Sequence, residues 1–235
     1  MKRFCSIVLL AAIFCVLALT SATAQRGASY EEGQPVVPSY KDFRFAIGGG
    51  YALRLGKIAK TGDDNWDKVS KKLRHGLTLD ADAQYFFRPD WGLGVNVNYC
   101  TTTISGDDLY FADLDRTANS YKESQNILFV GPSYATRSQS EKWLLVTSVA
   151  VGPLFYFNPA TFDGVVVNSN AVTAGLNLGF SGEYKVSANT GVGLKLSSTV
   201  GSVNSLKVEG QKVELDEAFN LSNVMLTAFI SFRSW

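Results

Sequence analysis

The sequence predicts an all-β protein, a transmembrane antiparallel up-and-down β-barrel of eight strands that is preceded by a cleaved signal peptide. Three observations carry the prediction. Eight segments alternate apolar and polar residues, the links between them alternate between short and long, and the N-terminus has the composition of an export signal. Charged residues make up only 18% of the chain, against about 25% in typical soluble domains, so polar surface is scarce.

The N-terminal segment predicts export. Residues 2–3 form a basic start, residues 7–19 are an apolar run, and residues 22–24 read Ala-Thr-Ala, a small-residue cleavage motif. The apolar run is shorter than the about 20 residues that a spanning helix needs. We therefore predict three segments, which are a signal peptide over 1–24, a flexible periplasmic lead over 25–39 and the barrel over 40–235.

Charge and cysteine content exclude some function classes. The formal net charge is +1, so electrostatics gives no case for nucleic acid binding. Removal of the signal would leave Cys100 as the only cysteine, and no intramolecular disulfide could then form. Beyond the signal, the chain has no apolar run of about 18 residues. Any entry into a membrane therefore has to use strands.

Eight segments of the chain have the period of a β-strand. In the sixth segment, Val172, Leu176 and Phe180 share one parity while Asn177 and Glu183 share the other, so a strand directs the two sets to opposite faces. The parity of the fourth segment is ambiguous, and the fifth alternates less cleanly. In chain order the segments are KDFRFAIGGGYALRLG, LTLDADAQYFF, WGLGVNVNY, NILFVGPSYAT, WLLVTSVAVGPLFYF, VTAGLNLGFSGEYKV, TGVGLKLSSTV and NVMLTAFISF.

The links between these segments alternate in length. The short links are rich in turn-forming residues and cover 88–90, 137–141 and 187–189. The long and mostly polar links cover 57–72, 104–121, 158–166 and 201–220. All long links therefore lie at one end of the strands. Outer-membrane barrels have this arrangement, with short periplasmic turns and long extracellular loops.

Aromatic residues mark both ends of the predicted strands, as expected for the two interfaces of a membrane. A soluble sandwich, the alternative fold, would have to bury the apolar face of all eight strands and would not need both sets. We therefore predict that the apolar face contacts lipid and the polar face lines the lumen. The short-turn set is Tyr85, Phe87, Trp91, Trp143, Tyr184 and Phe232, and the long-link set is Tyr51, Tyr99, Phe155 and Phe157.

Several stretches resemble a known family. They are FRFAIGGGYALRLG, the Gly-Pro pairs at 131–132 and 152–153, the hairpin NLGFSGEYKVSANTGVGLKL and the closing FISFRSW. Over about residues 40–235 the sequence resembles the small OmpA/OmpX-type outer-membrane β-barrels, in particular the porin-like outer membrane protein β-barrel domain family common in Bacteroidetes. The resemblance implies a location in the outer membrane of a Gram-negative bacterium.

The resemblance also implies partners. An outer-membrane barrel meets membrane lipid and lipopolysaccharide, and the barrel-assembly machinery reads an aromatic residue at the end of the family's last strand. Here Phe232 and Trp235 differ in parity, so either residue could be the assembly signal.

Nine polar or charged residues have inward parity. An eight-stranded barrel has an interior just wide enough for side chains to fill it, and opposite charges should pair there because an unpaired buried charge is costly. We predict a plugged polar lumen that serves stability. The alternative is a continuous water path through gaps left by lumen glycines, among them Gly48, Gly94 and Gly179. The nine residues are Arg44, Arg54, Asp80, Asp82, Gln84, Glu183, Lys185, Lys195 and Arg233.

Five large aromatic residues lie on the predicted long links. They could anchor an extracellular protein or glycan partner, or they could fold over the barrel mouth or rest on lipopolysaccharide. The sequence leaves both interpretations open. The five are Trp66, Tyr110, Phe111, Phe162 and Phe219.

No residue pattern predicts catalysis, a cofactor or a metal site. His75 is the only histidine, and Ser70, the nearest serine, lies in no nucleophile motif. The aspartates of links 57–72 and 104–121 lack the spacing of a calcium loop. They are therefore interpreted as solvated surface charge.

Three functional hypotheses follow from the sequence. The first is a non-enzymatic barrel with a structural or surface-interaction role. The second is a narrow passive channel for ions or small solutes. The third is a lipid-modifying barrel enzyme, which the single His75 makes the weakest.

Overall fold

A computed structural model describes residues 42–56, 71–111 and 116–234. The predicted signal peptide and periplasmic lead lie outside these residues, as does most of link 57–72. The described residues form ten strands: β1 (Phe43–Arg54), β2 (His75–Tyr85), β3 (Trp91–Phe111), β4 (Arg116–Gln139), β5 (Trp143–Phe162), β6 (Val165–Lys185), β7 (Thr190–Val200), β8 (Ser202–Val208), β9 (Gln211–Asn220) and β10 (Asn223–Ser234).

Eight of these strands close into a ring. The hydrogen-bonded neighbours follow the order β1-β2-β3-β4-β5-β6-β7-β10, and β10 pairs with β1 to complete the barrel. Every neighbouring pair in the ring is antiparallel. The predicted up-and-down barrel of eight strands is therefore confirmed. Closure gives each strand of the ring a hydrogen-bonded neighbour on both sides, as a lipid environment requires.

The exposure of alternate residues shows which face meets lipid. On β2, Leu77 is 68% exposed, whereas Asp80 and Asp82 are buried inside the ring. On β6, Val172 is 64% exposed and Glu183 is fully buried. At the level of these residues the barrel is apolar outside and polar inside, the reverse of a soluble sandwich, and the predicted lipid-facing parity is confirmed. Within the described residues, no helix is long and apolar enough to cross a membrane.

Two rings of aromatic residues surround the barrel. At the short-turn end, contacts join Tyr85 to Phe87, Phe87 to Trp91 and Trp91 to Tyr134. At the long-link end, the rings of Phe155 and Phe157 stack. We call these sets the lower and upper girdles. They bound the surface that contacts the hydrocarbon core.

The wall of the barrel is uneven in height. The strands β1, β2, β7 and β10 have 11 or 12 residues, whereas β3 to β6 have 20 to 24. A tilted transmembrane strand needs about 9 to 11 residues. The four long strands therefore continue past the upper girdle. We call this continuation, residues 102–111, 116–125, 158–162 and 165–169, the tall wall.

The predicted loops at the long-link end are largely strand, which corrects the sequence interpretation. In link 158–166, only Asp163 and Gly164 lie between β5 and β6, with φ angles of 49° and 84°. Two consecutive positive φ angles are typical of the type I′ turn that joins twisted hairpins. In link 104–121, β3 continues to Phe111 and β4 begins at Arg116.

Link 201–220 contains the two strands that the sequence analysis missed. β8 and β9 pair as a hairpin, and Glu209 and Gly210 form its turn, with φ angles of 48° and 83°. This β8–β9 hairpin bonds to β6 through Ser169 and Asn170. Asp-Gly and Glu-Gly between β-forming residues were the signals that could have revealed both hairpins.

Candidate functional site

The lumen near the short-turn end holds an ionic network, here called the lower network. The Arg44 guanidinium donates from Nε to Glu183 Oε2 at 3.0 Å and from Nη1 to Gln84 Oε1 at 3.0 Å. Arg233 Nε lies 3.5 Å from Glu183 Oε1. All four residues are buried. Gly191 makes room for the carboxylate, because a Cβ there would lie 2.2 Å from Glu183 Oε1.

The middle of the lumen holds a second network, here called the middle network. Lys195 Nζ donates to Asp80 Oδ1 and to Asp82 Oδ2, both at 2.7 Å. Asn96 Nδ2 donates to Asp82 Oδ1 at 2.9 Å, and Asn98 Nδ2 donates to Asp80 Oδ2 at 3.1 Å. The two asparagines were not among the predicted network residues, although they share the inward parity of WGLGVNVNY.

The remaining two of the nine predicted lumen residues lie apart from these networks. Arg54, at the long-link end of β1, donates from Nη2 to Asn220 O at 3.2 Å and lies over the Phe219 ring. Lys185, at the short-turn rim, donates from Nζ to Ser140 O at 2.5 Å. Each cation therefore interacts with the backbone at a barrel end.

At the level of the upper girdle the lumen is apolar, which corrects the expectation of a wholly polar interior. Eleven buried residues form this apolar layer, and Leu206, Leu215 and Phe219 of the β8–β9 hairpin pack against it. The mouth is thus filled by a hairpin that the sequence analysis treated as a loop. The eleven residues are Ala52, Cys100, Ile127, Phe129, Ala150, Leu154, Tyr156, Ala171, Val203, Leu221 and Met225.

A polar cluster centred on Glu123 lies on the inner face of the tall wall. The Glu123 carboxylate accepts hydrogen bonds from Tyr121 Oη at 2.5 Å, Gln125 Nε2 at 2.6 Å and Asn158 Nδ2 at 2.8 Å. Burial, with a further contribution from Glu123, raises the pKa of Tyr121 above its usual value. Tyr121 therefore keeps its proton and serves as a donor. The cluster was missed because its residues lie outside the predicted strands, on extensions of β4 and β5 that the sequence analysis did not assign to strands.

The structure places two of the five predicted loop aromatics inside the mouth. Phe162 packs on Tyr121, with ring centroids 4.9 Å apart, and Phe219 packs on Tyr156 at 5.4 Å. Both rings thus cover the barrel mouth. Tyr110 and Phe111 lie at the end of β3, and their side chains are outside the described residues, as is the whole of Trp66.

The described residues include only some of those considered for catalysis and metal binding. His75 lies on the outer surface at the start of β2, where its Nδ1 contacts the hydroxyl of Tyr51. Ser70 lies outside the described residues. Among the residues that are described, there is no group of three or more histidine, cysteine, aspartate or glutamate side chains that could hold a metal ion.

Comparison with known proteins agrees with this architecture. No protein-family model matches the sequence, and no curated protein is similar enough to be a relative. The chain is similar in structure to a major outer membrane protein of Thermus thermophilus, with a TM-score of 0.51, 14% identity, and coverage of 81% of this chain and 99% of the other. The fold is that of an outer-membrane β-barrel. It agrees with the OmpA/OmpX-type architecture that the resemblance implied.

Two other solved structures are also similar to this chain. Neisserial surface protein A has a TM-score of 0.49 and 11% identity, with coverage of 81% of this chain and 96% of the other. The outer membrane protease OmpT of Escherichia coli has a TM-score of 0.47 and 8% identity, with coverage of 86% and 99%. One of the two is a protease, and a shared fold does not by itself assign an activity.

Proposed function

We propose that this chain is a closed outer-membrane barrel with a structural or surface-interaction role. Its lumen is filled, and its tall wall and β8–β9 hairpin are presented outside the cell. The observation that carries the proposal is the filling of the lumen at successive depths by the lower network, the middle network and the apolar layer.

The glycines of the lumen support the closed interior. A Cβ at Gly179 would lie 3.0 Å from Lys195 Cε, and one at Gly94 would lie 3.0 Å from Gln84 Cγ. A Cβ at Gly48 would lie 2.6 Å from Phe229 Cβ. The space over these glycines is therefore occupied by neighbouring side chains.

The test is solute flux through liposomes that contain the refolded chain without residues 1–24. We expect ion and small-sugar flux at the level of empty liposomes, with heat-dependent gel mobility as the control that the barrel has formed. Liposomes with a general porin confirm that the assay detects flux. Flux well above the empty level from folded protein would contradict the closed barrel.

A narrow channel is the second candidate, and one observation favours it. Four polar residues on β7 and β10 have buried side-chain atoms without a hydrogen-bond partner, namely Ser197, Asn223, Thr227 and Ser231. Buried polar groups of this kind are usually satisfied by ordered water. A continuous row of water molecules along this side of the lumen would let ions or small solutes cross the barrel, which a closed lumen would not.

The proposed orientation puts the tall wall outside the cell and the short turns in the periplasm. It rests on export by a signal peptide at 1–24, after which the N- and C-termini of the barrel both lie on the periplasmic side. An epitope inserted between Asp163 and Gly164 should be labelled by antibody on intact cells. The same epitope after Asn189, in a short turn, should be labelled only after the outer membrane is permeabilised. The opposite pattern would reverse the orientation.

A further inference from the structure

The barrel wall is interrupted on one side of β6. The ladder between β6 and β7 ends where Leu176 pairs with Val200, and pairing resumes only where Asn170 meets Lys207 of β8. Between these points, β6 makes no ladder pair on this side. The side chain of Thr173 donates to Ser202 O at 2.9 Å within the gap. The gap is thus an opening in the barrel wall on the β7 side of β6.

A cavity of about 220 Å³ lies in this gap. It is lined by residues 170–172 of β6, residues 205–207 of β8 and Lys212 of β9. Its lining therefore combines apolar residues with two lysines.

The two lysines are arranged unusually. Lys207 and Lys212 are direct partners across the β8–β9 ladder, and like charges directly opposite each other are destabilising. Glu214 forms an exposed ion pair with Lys212 at 2.5 Å, while Lys207 has no ion-pair partner among the described residues. The nearby Glu209 carboxylate is bonded to Asn168 N. The residues that line the cavity therefore include two lysines and no carboxylate.

A register shift aims Lys207 away from the lumen. The β8–β9 pairing is irregular between Val203 and Ser205, and a bulge of this kind changes which residues face inward. Both Val203 and Leu206 consequently contact the apolar layer. Lys207, next along the strand, is exposed.

The cavity lies at the depth of lipid headgroups. Asn170, which lines it, pairs with Phe157 of the upper girdle, and aromatic girdles mark the membrane interface. Val172, Ala174 and Leu176 continue from the cavity down the lipid-facing side of β6. A molecule with an anionic head and an apolar tail would therefore find its charge at the lysines and its tail along β6.

We propose that the cavity between β6 and the β8–β9 hairpin binds the phosphate of an outer-leaflet lipid between Lys207 and Lys212, with an acyl chain lying along Val172 and Leu176. The two lysines are exposed on the hairpin rather than buried in the lumen, so the site does not depend on whether the barrel conducts. It does rest on the proposed orientation, which the epitope experiment tests independently.

The experiment measures lipid retention by native mass spectrometry of the folded chain in detergent. The probes are lipid A, its fully dephosphorylated form and inorganic phosphate. We expect wild-type protein to retain lipid A in preference to the dephosphorylated form. The double variant K207Q/K212Q should lose affinity for lipid A by roughly tenfold or more, because each basic residue near a membrane surface contributes about 1 kcal/mol. Lys122→Gln, on the outer face of the tall wall, is the matched control and should bind as the wild type does.

Further variants and probes distinguish a lipid phosphate from a free phosphate as the ligand. Lys207→Arg together with Lys212→Arg should retain lipid A, which excludes misfolding as the cause of the loss. Val172→Asn should weaken lipid A binding and leave inorganic phosphate unaffected. Equal lipid A affinity in wild type and K207Q/K212Q would overturn the proposal. Displacement of lipid A by millimolar inorganic phosphate would also overturn it, in favour of a soluble anion.

Discussion

At the scale of single residues, the narrow lumen accommodates charged side chains by pairing opposite charges. Asp80 and Asp82 point into the same space, and the Lys195 ammonium lies 2.7 Å from both carboxylates. The middle network has one excess negative charge, and the lower network, with two arginines and Glu183, has one excess positive charge. The excess charges of the two networks therefore balance each other. Inward parity identified these residues but not which of them pair.

Replacement of Lys195 by methionine should destabilise the barrel strongly. The side chain keeps its length but leaves two buried carboxylates unpaired, and breaking a buried ion pair in this way costs about 3 to 5 kcal/mol. The measurement is the urea unfolding midpoint in lipid vesicles. Lys122→Met, at an exposed position, is the control. The triple variant D80N/D82N/K195M should recover much of the loss, and a triple variant no more stable than Lys195→Met would argue against the ionic network.

At the scale of elements, parity and turn chemistry predicted most strands but not their ends. The strands β1, β2, β7 and β10 were predicted at about their observed lengths, because turn residues or polar links mark where they end. The strands β3 to β6 were predicted too short, because their extensions are polar and lack the apolar face that gives a lipid-facing strand its signal. The β8–β9 hairpin was missed for the same reason, and its apolar residues become a plug only when they meet the mouth.

Phe219→Ala should release the β8–β9 hairpin from the mouth. The Phe219 ring contacts Tyr156 and the Arg54 guanidinium, and such contacts contribute about 1 kcal/mol beyond apolar burial. Limited trypsin digestion of the folded protein should therefore cleave at Lys207 or Lys212 about fivefold faster. Val213→Ala, on the exposed part of the same hairpin, should leave the rate unchanged. Equal rates for wild type and Phe219→Ala would show that the ring does not hold the hairpin.

At the scale of the whole molecule, the exposed apolar band defines the surroundings of the protein. Apolar side chains such as Leu194 and Leu196 are more than half exposed, while the charged residues of both networks are buried. Such a surface is stable only against hydrocarbon. The tall wall rises beyond this band on one side only, so the barrel presents an asymmetric surface outside the membrane.

Leu196→Arg should destabilise the barrel by about 2 to 4 kcal/mol, the cost of arginine at the membrane midplane on a lipid-facing strand. Leu196 lies on β7 between the girdles and pairs with Phe180. Val165→Arg, at a similarly exposed apolar position on the tall wall, should cost little because water surrounds it. Unfolding of both variants in vesicles would measure the difference. Equal destabilisation would contradict the limits assigned to the membrane band.

The sequence by itself determined the number of barrel strands, their lipid-facing parity and the end at which the long links lie. These properties follow from local periodicity and turn residues, which a single chain displays directly. Only the tertiary structure decided which inward charges meet, as Arg44 and Glu183 do from β1 and β6, because such pairing depends on the register of a closed ring. It also decided that the mouth is closed by the β8–β9 hairpin and that a gap remains beside β6. Both depend on where a distant segment folds back, and no local pattern in the chain specifies that.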